Sequence, residues 1–266
     1  MKIIDCFSFF NELDLLEIRL NTLNDIVDRF IICESLQTHS GVNKPLFFEL
    51  NKERFKPFLS KITHVITSCE SNNSWLNEFN QRNDLDKGFL NLNDEDIILL
   101  SDVDEIPNPE TIKNLKVEDY FIYNYIQKMY YYYLNYQNKH LWQGTQSFTY
   151  KTFKESGNKL TEIRRNNNKG FISNPCKFSK KLIDNGGWHF SYMGGIDSVI
   201  YKMKSFMHQE LLPYSSLNKN FIYSKIENGD WIWNDGQNIK VEKVDMNDHP
   251  KYILDNLDKF KHLIKV

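Results

Sequence analysis

The first hundred residues alternate short, continuous apolar runs with longer segments in which apolar residues recur every three or four positions. The apolar runs predict strands at residues 2–9, 29–33, 62–67 and 96–100. Helical spacing is found in two segments between them, residues 13–23 and 75–92. Because parallel strands need crossover connections, this alternation predicts an α/β fold with a mixed, mostly parallel sheet flanked by helices.

The pattern changes after Pro107, where Tyr, Phe and Trp become frequent. Residues 120–136 and 141–151 are rich in these aromatic residues, which favour pleated, half-buried surfaces. They predict additional strands that are partly antiparallel. No internal repeat and no linker rich in Pro, Gly or Ser divides the chain, so we expect residues 1–266 to form a single domain.

Composition places the chain among ordinary globular proteins. Its 266 residues are 41% hydrophobic and 26% charged, which excludes disordered and collagenous classes. The 33 Lys and Arg nearly balance the 35 Asp and Glu, so no nucleic-acid partner is expected. The N-terminus lacks a signal-peptide pattern, and no apolar run approaches the roughly 18 residues of a membrane span. We therefore expect a soluble, cytoplasmic protein with no transmembrane segment. Buried free thiols are expected at Cys6, Cys33, Cys69 and Cys176, which lack C-x-x-C spacing.

Aromatic residues make up 14% of the chain, with 5 Trp, 14 Tyr and 19 Phe. Such rings fill cores, and they also stack on the faces of sugars. In the run from Met129 to Tyr133, alternate side chains of a strand would face opposite sides, so some rings would be buried while others meet a ligand. Trp142 and Trp188 are the tryptophan candidates for a sugar-binding surface, and core packing is the alternative for each.

The most specific feature is a pair of aspartates, Asp102 and Asp104, directly after the strand predicted at 96–100. Ligands of open α/β sheets bind at the carboxyl ends of strands, where this pair would lie. With Glu105, three acids lie close enough to repel one another unless a cation is present. Mg²⁺ or Mn²⁺ accepts one or two carboxylates and keeps positions for water and phosphate oxygens. The alternative is that these acids are solvated or cap a helix.

Two enzyme classes place an Asp-x-Asp pair after an apolar strand. In haloacid-dehalogenase-type phosphatases the first aspartate is a nucleophile, so Asp102 would become a phospho-aspartate. That class usually carries the motif on its first strand, and it favours Thr or Val where this chain has Ile106. Sugar-nucleotide transferases carry the motif after several strands, as here. The position of the pair therefore favours a transferase.

Five segments taken in order form a more specific pattern than any one of them. They are residues 11–20, the loop 34–44, Gln81-Arg82-Asn83, Ser101-Asp102-Val103-Asp104-Glu105-Ile106-Pro107 and Gly187-Trp188-His189-Phe190-Ser191-Tyr192. Together they resemble glycosyltransferase family 17. The resemblance is dense over residues 11–47, 79–107 and 186–209 and thin between 110 and 180.

The resemblance implies a GT-A type nucleotide-diphospho-sugar transferase fold. It further implies a UDP-sugar donor, expected to be UDP-GlcNAc, a divalent metal ion, and inversion at the anomeric carbon. In such a fold, residues 1–107 would form the nucleotide-binding half and residues 108–266 the acceptor-side half. The partners would be the UDP-sugar and a glycan or glycoconjugate acceptor.

Candidate metal ligands follow from the same resemblance. Asp104 is expected to contact the metal directly, and Asp102 is expected to reach either the metal or the ribose. Transferases of this fold commonly bring a late histidine to the metal, which implies His189 as a third ligand. An imidazole suits Mn²⁺ better than Mg²⁺. The alternative for His189 is a structural role.

An inverting transfer needs one base to accept the proton of the attacking hydroxyl. Asp197 is the first candidate because it follows His189 closely, near the start of a helix predicted at 196–207. The alternative is that Asp197, or Ser198, only caps that helix. Glu210 is the reserve candidate for the base.

Three side chains are candidates for nucleotide binding. Glu34 ends the second predicted strand, where a ribose or uracil would lie, while Arg82 and Lys44 are placed to reach the diphosphate. Surface charge or a helix-face ion pair is the alternative for each. Glu17 and Arg19 are interpreted as structural, on a solvated helix face.

The sequence thus predicts a metal-dependent, inverting glycosyltransferase that moves a sugar, expected to be GlcNAc, from a UDP donor to a glycan hydroxyl. One alternative is a nucleotide-sugar or carbohydrate-binding protein that has lost turnover. The other is a phosphatase that uses Asp102 as its nucleophile.

Overall fold

A computed structural model describes residues 1–165, 178–214, 217–233 and 239–266. A mixed sheet passes through the described part of the chain. Its strands are β1 (Ile3–Phe9), β2 (Arg29–Ser35), β3 (Ile62–Thr67), β4 (Ile97–Asp102), β5 (Glu105–Pro107), β6 (Phe121–Tyr131), β7 (Tyr136–Thr149), β8 (Ser179–Ile183), β9 (Gly187–Ser191) and β10 (Val241–Lys243). The strand order is β3-β2-β1-β4-β7-β6-β9-β5, with β10 beside β7 and β8 beside β6.

Helices connect these strands and cover the sheet. They are α1 (Leu13–Leu23), α2 (Phe47–Leu50), α3 (Ser74–Asn83), α4 (Pro109–Lys113), α5 (Tyr150–Glu155), α6 (Leu160–Arg165), α7 (Gly195–Ser205), α8 (Lys219–Glu227), α9 (Lys251–Leu254) and α10 (Leu257–Phe260). Four 3₁₀ segments occupy Lys52–Lys61, Asp84–Gly88, Gln209–Tyr214 and Lys261–Leu263. Within the residues described, no helix is both long and apolar enough to cross a membrane.

The first four strands form a parallel sheet in which β1, β2 and β4 are buried on both faces, whereas the edge strand β3 leaves Ile66 49% exposed. The strands β2, β1 and β4 alternate between two apolar clusters, one containing Phe7 and Leu99 and the other containing Cys6 and Ile98. Burial on both faces is why these strands are continuous apolar runs in the sequence. The α/β class and the helix-flanked, mixed sheet are confirmed, with β1 to β4 within two residues of their predicted bounds.

The helix predicted at 75–92 is shorter than expected. It begins at Ser74, where the Asn73 side chain accepts hydrogen bonds from two backbone N–H groups, and it ends at Asn83. The chain then tightens into the 3₁₀ segment, which places Leu85 in the core and packs Gly88 against Ile31. A Cβ at Gly88 would come within 2.6 Å of Ile31, so this close packing ends the regular helix.

The second half of the sheet has mixed directions. β7 is antiparallel to both β4 and β6, as the aromatic segments predicted. One edge of β6 is shared by β8 along its first residues and by β9 along its last, both parallel to it. The short strand β5 pairs antiparallel with β9 and thereby joins the end of the Asp102–Glu105 loop to this half.

Two glycine-rich turns shape the late part of the fold. Gly187 has a φ of +119°, and a Cβ there would lie 2.2 Å from a backbone oxygen of Ile106, so only glycine permits β9 to pair closely with β5. Gly194 has a φ of +93° and is the N-terminal cap of α7. The expectation that Asp197 or Ser198 caps this helix is wrong, because Asp197 lies inside its first turn.

Three of the four cysteines are described, and all three are buried free thiols. Burial raises the pKa of Cys6, Cys33 and Cys69, so these thiols stay protonated and unreactive. Cys176 lies outside the described residues.

Candidate active site

A cavity of about 410 Å³ opens at the carboxyl ends of β1 and β4. Its volume is within the usual range for small-molecule sites. Its lining combines charged side chains with aromatic and apolar ones. The charged lining comprises Glu12, Lys44, Glu78, Arg82, Asp102, Asp104, Glu105, His189, Lys202 and His208. The aromatic lining comprises Phe9, Phe10, Tyr131, Trp142, Tyr192, Phe206, Trp231 and Trp233.

A buried arginine on α1 holds the Asp102–Glu105 loop in place. Nε and Nη2 of the Arg19 guanidinium donate to the two oxygens of the Asp5 carboxylate, at 2.8 and 2.6 Å. Its Nη1 donates to the backbone oxygens of Asp102 (3.1 Å) and Glu105 (2.8 Å), and its Nη2 donates to Ser101 Oγ (2.6 Å). The interpretation of Arg19 as part of a solvated face is therefore wrong, because this face of α1 lies on the sheet and Arg19 is fully buried.

Glu17 was assigned to the same solvated face and is also buried. Its carboxylate accepts hydrogen bonds from Arg54, Tyr252 and Lys259. Glu17 therefore ties α1 to the C-terminal helices, which is a structural role.

Asp104 lines the cavity between two basic side chains. Its Oδ2 is 2.9 Å from Lys202 Nζ, and its Oδ1 is 3.6 Å from His189 Nε2. Burial alone would raise the pKa of Asp104, but Lys202 and His189 outweigh it and hold that pKa well below its ordinary value of 3.8. Burial likewise opposes the charge on Lys202, yet Asp104 and Glu12 raise the pKa of Lys202. Asp104 is therefore ionised and paired with a cation.

Asp102 is half-exposed and turned toward two arginines. Its Oδ1 is 3.0 Å from Arg82 Nη2, and its Oδ2 is 3.9 Å from Arg164. Burial would raise the pKa of Asp102, but Arg82 and Arg164 lower it. Arg82 is buried on α3 and also bonds Glu78, so its guanidinium is held in a fixed direction at the edge of the cavity.

Glu105 is the third acid of the site, which the sequence places beside the aspartate pair without giving it a role of its own. It is 1% exposed, and its Oε1 accepts hydrogen bonds from Arg164 and from Trp142 Nε1 (2.6 Å). It is the cross-strand partner of His189 in the β5–β9 pair. Trp142 is 41% exposed, with its ring centroid 5.1 Å from that of His189. The adjacency of Glu105 to the aspartate pair was the available signal.

Asp104 and His189 are the pair that fits a divalent cation. They face each other across 3.6 Å, which leaves a carboxylate oxygen and an imidazole nitrogen directed at one position on the cavity wall. A carboxylate and an imidazole, completed by water and phosphate oxygens, form a suitable donor set for Mn²⁺. Asp102 is turned to the arginines instead. Among the described residues, no group of three or more His, Cys, Asp or Glu side chains is assembled to hold a metal.

Glu34 does not line the cavity, in contrast to its expected position near the nucleotide. It is fully buried, and its carboxylate accepts hydrogen bonds from the backbone N–H groups of Phe47 and Phe48 and from Lys44 Nζ (3.1 Å). These contacts hold the start of α2 against the end of β2. Lys44 lines the cavity, and burial lowers its pKa although Glu34 opposes the shift.

The two carboxylates expected as bases both lie outside the cavity lining. The Asp197 side chain is 81% exposed and pairs with Lys219 at 2.6 Å, because the first turn of α7 faces outward. Glu210 is also exposed, but its Oε1 lies 2.6 Å from Nδ1 of His208, which does line the cavity. Burial favours the neutral acid of Glu210, while His208 lowers its pKa.

Of the two tryptophan candidates, only Trp142 reaches the cavity. Trp188 is 8% exposed, packs in a core cluster with Phe190, and donates from Nε1 to the backbone oxygen of Asp248 at 2.8 Å. Alternation along β9 explains this, since Trp188 and Phe190 face the core while His189 faces the cavity.

Two further tryptophans, which are not among the residues predicted for the site, line the cavity. They are Trp231 and Trp233, and Trp233 Nε1 donates to the hydroxyl of Tyr192 at 2.9 Å. Tyr131 lies beside them, with its ring 5.1 Å from Trp231. The Trp-Ile-Trp spacing, with alternate residues on one side, was the signal for this pair.

Comparison with known proteins relates this site to a family. The family described as Glycosyltransferase family 17 matches residues 1–265. The β-1,4-mannosyl-glycoprotein 4-β-N-acetylglucosaminyltransferases of rat, mouse and human are each 24% identical over 99% of this chain. The chain spans about half the length of these curated relatives, 54% for the rat and mouse proteins and 55% for the human one.

The solved structures that align with this chain are more distant. Staphylococcus aureus TarS 1–349 aligns with a TM-score of 0.43 at 11% identity, covering 86% of this chain and 71% of that one. A 4-diphosphocytidyl-2C-methyl-D-erythritol synthase aligns with a TM-score of 0.35 at 11% identity, covering 69% of this chain and 89% of that one. The family match extends over nearly every residue, including all of the cavity lining, and the chain therefore belongs to glycosyltransferase family 17.

Proposed function

We propose that this protein is an inverting glycosyltransferase that uses Mn²⁺ or Mg²⁺ to move GlcNAc from UDP-GlcNAc to a hydroxyl of a glycan. Family membership supports the reaction class, and similarity to N-acetylglucosaminyltransferases supports GlcNAc as the sugar. The observation that carries the proposal is the Asp104–His189 pair, which lies in a cavity also lined by Arg82, Lys44 and Lys202. These groups suit a ligand that combines a diphosphate with a sugar.

The charged lining of the cavity around Arg82 and Lys44 is the proposed nucleotide subsite. Arg82 is fixed by Glu78 and Asp102, so its guanidinium is preorganised to meet phosphate oxygens without losing side-chain freedom. Lys44 adds a second cation on the same lining. Asp102 is half-exposed beside Arg82, and its Oδ2, 3.9 Å from Arg164, is the oxygen that would accept a hydrogen bond from a ribose hydroxyl.

Asp104 and His189 would hold the metal ion. When bound, the ion supplies Lewis-acid stabilisation of the diphosphate that leaves the sugar. Two sets of contacts hold these ligands in place. Arg19 binds the backbone of the loop that carries Asp104, and the β5–β9 pairing places His189 opposite Glu105. The site is thus built on rigid elements rather than on a free loop.

His208 is the proposed base. It lines the cavity, and the carboxylate of Glu210 fixes its ring through Nδ1 at 2.6 Å. With the Nδ1 proton directed at Glu210, Nε2 is the free acceptor for the proton of an attacking hydroxyl. Glu210 is then a positioning residue, and the exposed Asp197 has no part in the step.

The aromatic lining of the cavity is the proposed acceptor side. Tyr131, Tyr192, Trp231 and Trp233 offer flat apolar surfaces with polar edges, which suit the faces and hydroxyls of sugars. The Trp142 ring lines the same cavity with its centroid 5.1 Å from that of His189, so it is placed to contact the transferred sugar or the acceptor.

Binding of UDP by calorimetry, with and without Mn²⁺, tests the proposal. The wild type should bind UDP tightly only with metal, and Asp104→Asn should abolish the metal dependence. Asp197→Asn is a matched control, since that carboxylate is exposed and outside the cavity. A donor and acceptor screen beginning with UDP-GlcNAc then follows transfer.

Each other outcome has a defined meaning. Metal-dependent UDP binding without transfer to any glycan would identify a binding protein that has lost turnover. Failure to bind UDP under all conditions would overturn the nucleotide-sugar assignment. A phospho-aspartate at Asp102 would establish the phosphatase alternative.

A further inference from the structure

The Asp104 carboxylate, which is proposed to bind the metal ion, already forms an ion pair with a lysine ammonium. Lys202 Nζ lies 2.9 Å from Asp104 Oδ2 and 3.4 Å from Glu12 Oε1. The side chain of Lys202 is 21% exposed, and those of Asp104 and Glu12 are 7% and 15% exposed. The ammonium is therefore a largely desolvated counter-ion that neutralises the acids of the site.

The position of Lys202 is set by α7 and by the cavity wall. Its ammonium also lies 5.5 Å from the ring centroid of Tyr192, which faces the same cavity. Two residues further along the helix, Lys204 is exposed and does not line the cavity. Only the first of these two lysines can therefore act on the site.

We propose that Lys202 competes with the divalent cation for Asp104, so that metal binds well only together with a nucleotide diphosphate. The inference rests on the proposed function in one respect, the placement of the metal on Asp104. It adds an order of binding, because the free protein is held in a state that disfavours the metal alone.

Charge balance gives the physical reason. A dication and an ammonium on one buried carboxylate would repel each other at short range, where water screens them little. A diphosphate brings further negative charge to the cavity and offers the ammonium a new partner. Lysine suits this exchange, because its ammonium is a point charge on a flexible four-carbon stem. Metal and nucleotide therefore each increase the affinity for the other, as linkage requires.

Mn²⁺ binding can be measured on the protein by electron paramagnetic resonance, first alone and then with UDP. The wild type should bind Mn²⁺ much more tightly in the presence of UDP. Lys202→Met should tighten Mn²⁺ binding to the UDP-free protein by about tenfold or more, within the ordinary range of coupling between sites. Lys204→Met, the matched control, should leave Mn²⁺ binding at the wild-type value. Adding Asp104→Asn to Lys202→Met should remove the gain.

A stability measurement keeps the test informative if Lys202→Met folds poorly. Lys202→Gln also removes the charge while retaining a hydrogen-bond donor. Without UDP, Mn²⁺ should raise the Tm of either Lys202 variant more than that of the wild type, because the dication replaces the missing ammonium.

The results separate this inference from the proposed function. Equal Mn²⁺ affinities in the wild type and both Lys202 variants, with metal-dependent UDP binding intact, would overturn the competition and leave the function standing. Tight Mn²⁺ binding to the UDP-free wild type would also overturn it. If no variant binds Mn²⁺ even with UDP, the metal assignment itself fails and the inference fails with it.

Discussion

Arg19 and Asp5 form a fully buried, two-pronged ion pair, with Arg19 Nη2 2.6 Å from Asp5 Oδ1 and Nε 2.8 Å from Oδ2. The pair leaves Nη1 of Arg19 free to donate to the backbone oxygens of the Asp102–Glu105 loop. The geometry of the proposed metal ligand thus depends on a side chain that does not reach the cavity itself.

Replacing Arg19 should separate the placement of the loop from the stability of the fold. Arg19→Met leaves Asp5 buried and unpaired, so we expect a loss of about 3–5 kcal/mol in the free energy of unfolding. Arg19→Lys keeps the charge but loses the planar fork, and it should weaken Mn²⁺-dependent UDP binding while the protein stays folded.

Arg29→Lys is the matched control for this prediction. Arg29 also donates to a backbone oxygen, that of Leu90 at 2.8 Å, but it lies at the opposite end of its strand from the cavity. Arg29→Lys should not change UDP binding. Wild-type UDP affinity in Arg19→Lys would show that the loop is placed by other contacts.

Asp104 should make the stability of the protein fall in acid. The basic neighbours Lys202 and His189, against the effect of burial, hold the folded pKa of Asp104 below its ordinary value of 3.8. As the pH falls, the unfolded chain therefore takes up the proton first, and this contribution to the free energy of unfolding is lost progressively below about pH 4. Urea unfolding between pH 3 and pH 7 should show a shallower acid decline in Asp104→Asn than in the wild type. Identical declines in both proteins would contradict the ion pairing.

The two tryptophans of the site region should respond differently to substitution. Trp188→Phe leaves the Asp248 carbonyl without its donor and removes core volume, so it should lower the free energy of unfolding by about 1–3 kcal/mol without changing UDP binding. Trp142→Ala removes a half-exposed ring and one donor to Glu105, which keeps its Arg164 partner, so it should raise KM for the acceptor with a smaller loss of stability than Trp188→Phe. Unfolding curves and transfer kinetics on both variants check the contrast. Altered UDP binding in Trp188→Phe would place that ring in the site after all.

His208 should control the chemical step rather than donor binding. His208→Gln should lower kcat for transfer by about 10²-fold or more, because a positioned base commonly contributes that much, while UDP still binds. Glu210→Gln should cause a smaller loss and alter the pH profile of kcat, because it changes the group that orients the ring. The exposed His140 provides a matched control, His140→Gln. Undiminished kcat in His208→Gln would reject it as the base.

The regular part of this fold was predictable because it obeys local rules. The strands β1, β2 and β4 are buried on both faces, so each is a continuous apolar run that no competing pattern resembles. The strand β9 was missed as a strand because its first residue, Gly187, belongs to a glycine-rich stretch that is typical of turns. Its pairing with β5 depends on close backbone packing at Gly187, which produces no hydrophobic periodicity in the sequence.

Site residues could be predicted only where the residue type and its place in a motif indicate a function. Asp104, His189 and Arg82 were expected, and the structure brings all three to one cavity. Lys202 and Arg164 were not expected, since in the sequence each resembles an ordinary charged residue on a helix surface. Only the tertiary structure pairs Lys202 with Asp104 and Arg164 with Glu105. Conversely, Glu34 was expected at the site for its place at a strand end, but backbone N–H groups of α2 bind its carboxylate.

The β5–β9 pairing has a consequence for how the chain tolerates change. Glu105 and His189 are 84 positions apart, yet backbone hydrogen bonds hold them in register directly. Loops in the intervening stretch can therefore lengthen, shorten or diverge without moving the two edges of the site relative to each other. A chain that kept this short junction would therefore hold Glu105 and His189 in register through changes of length in those loops.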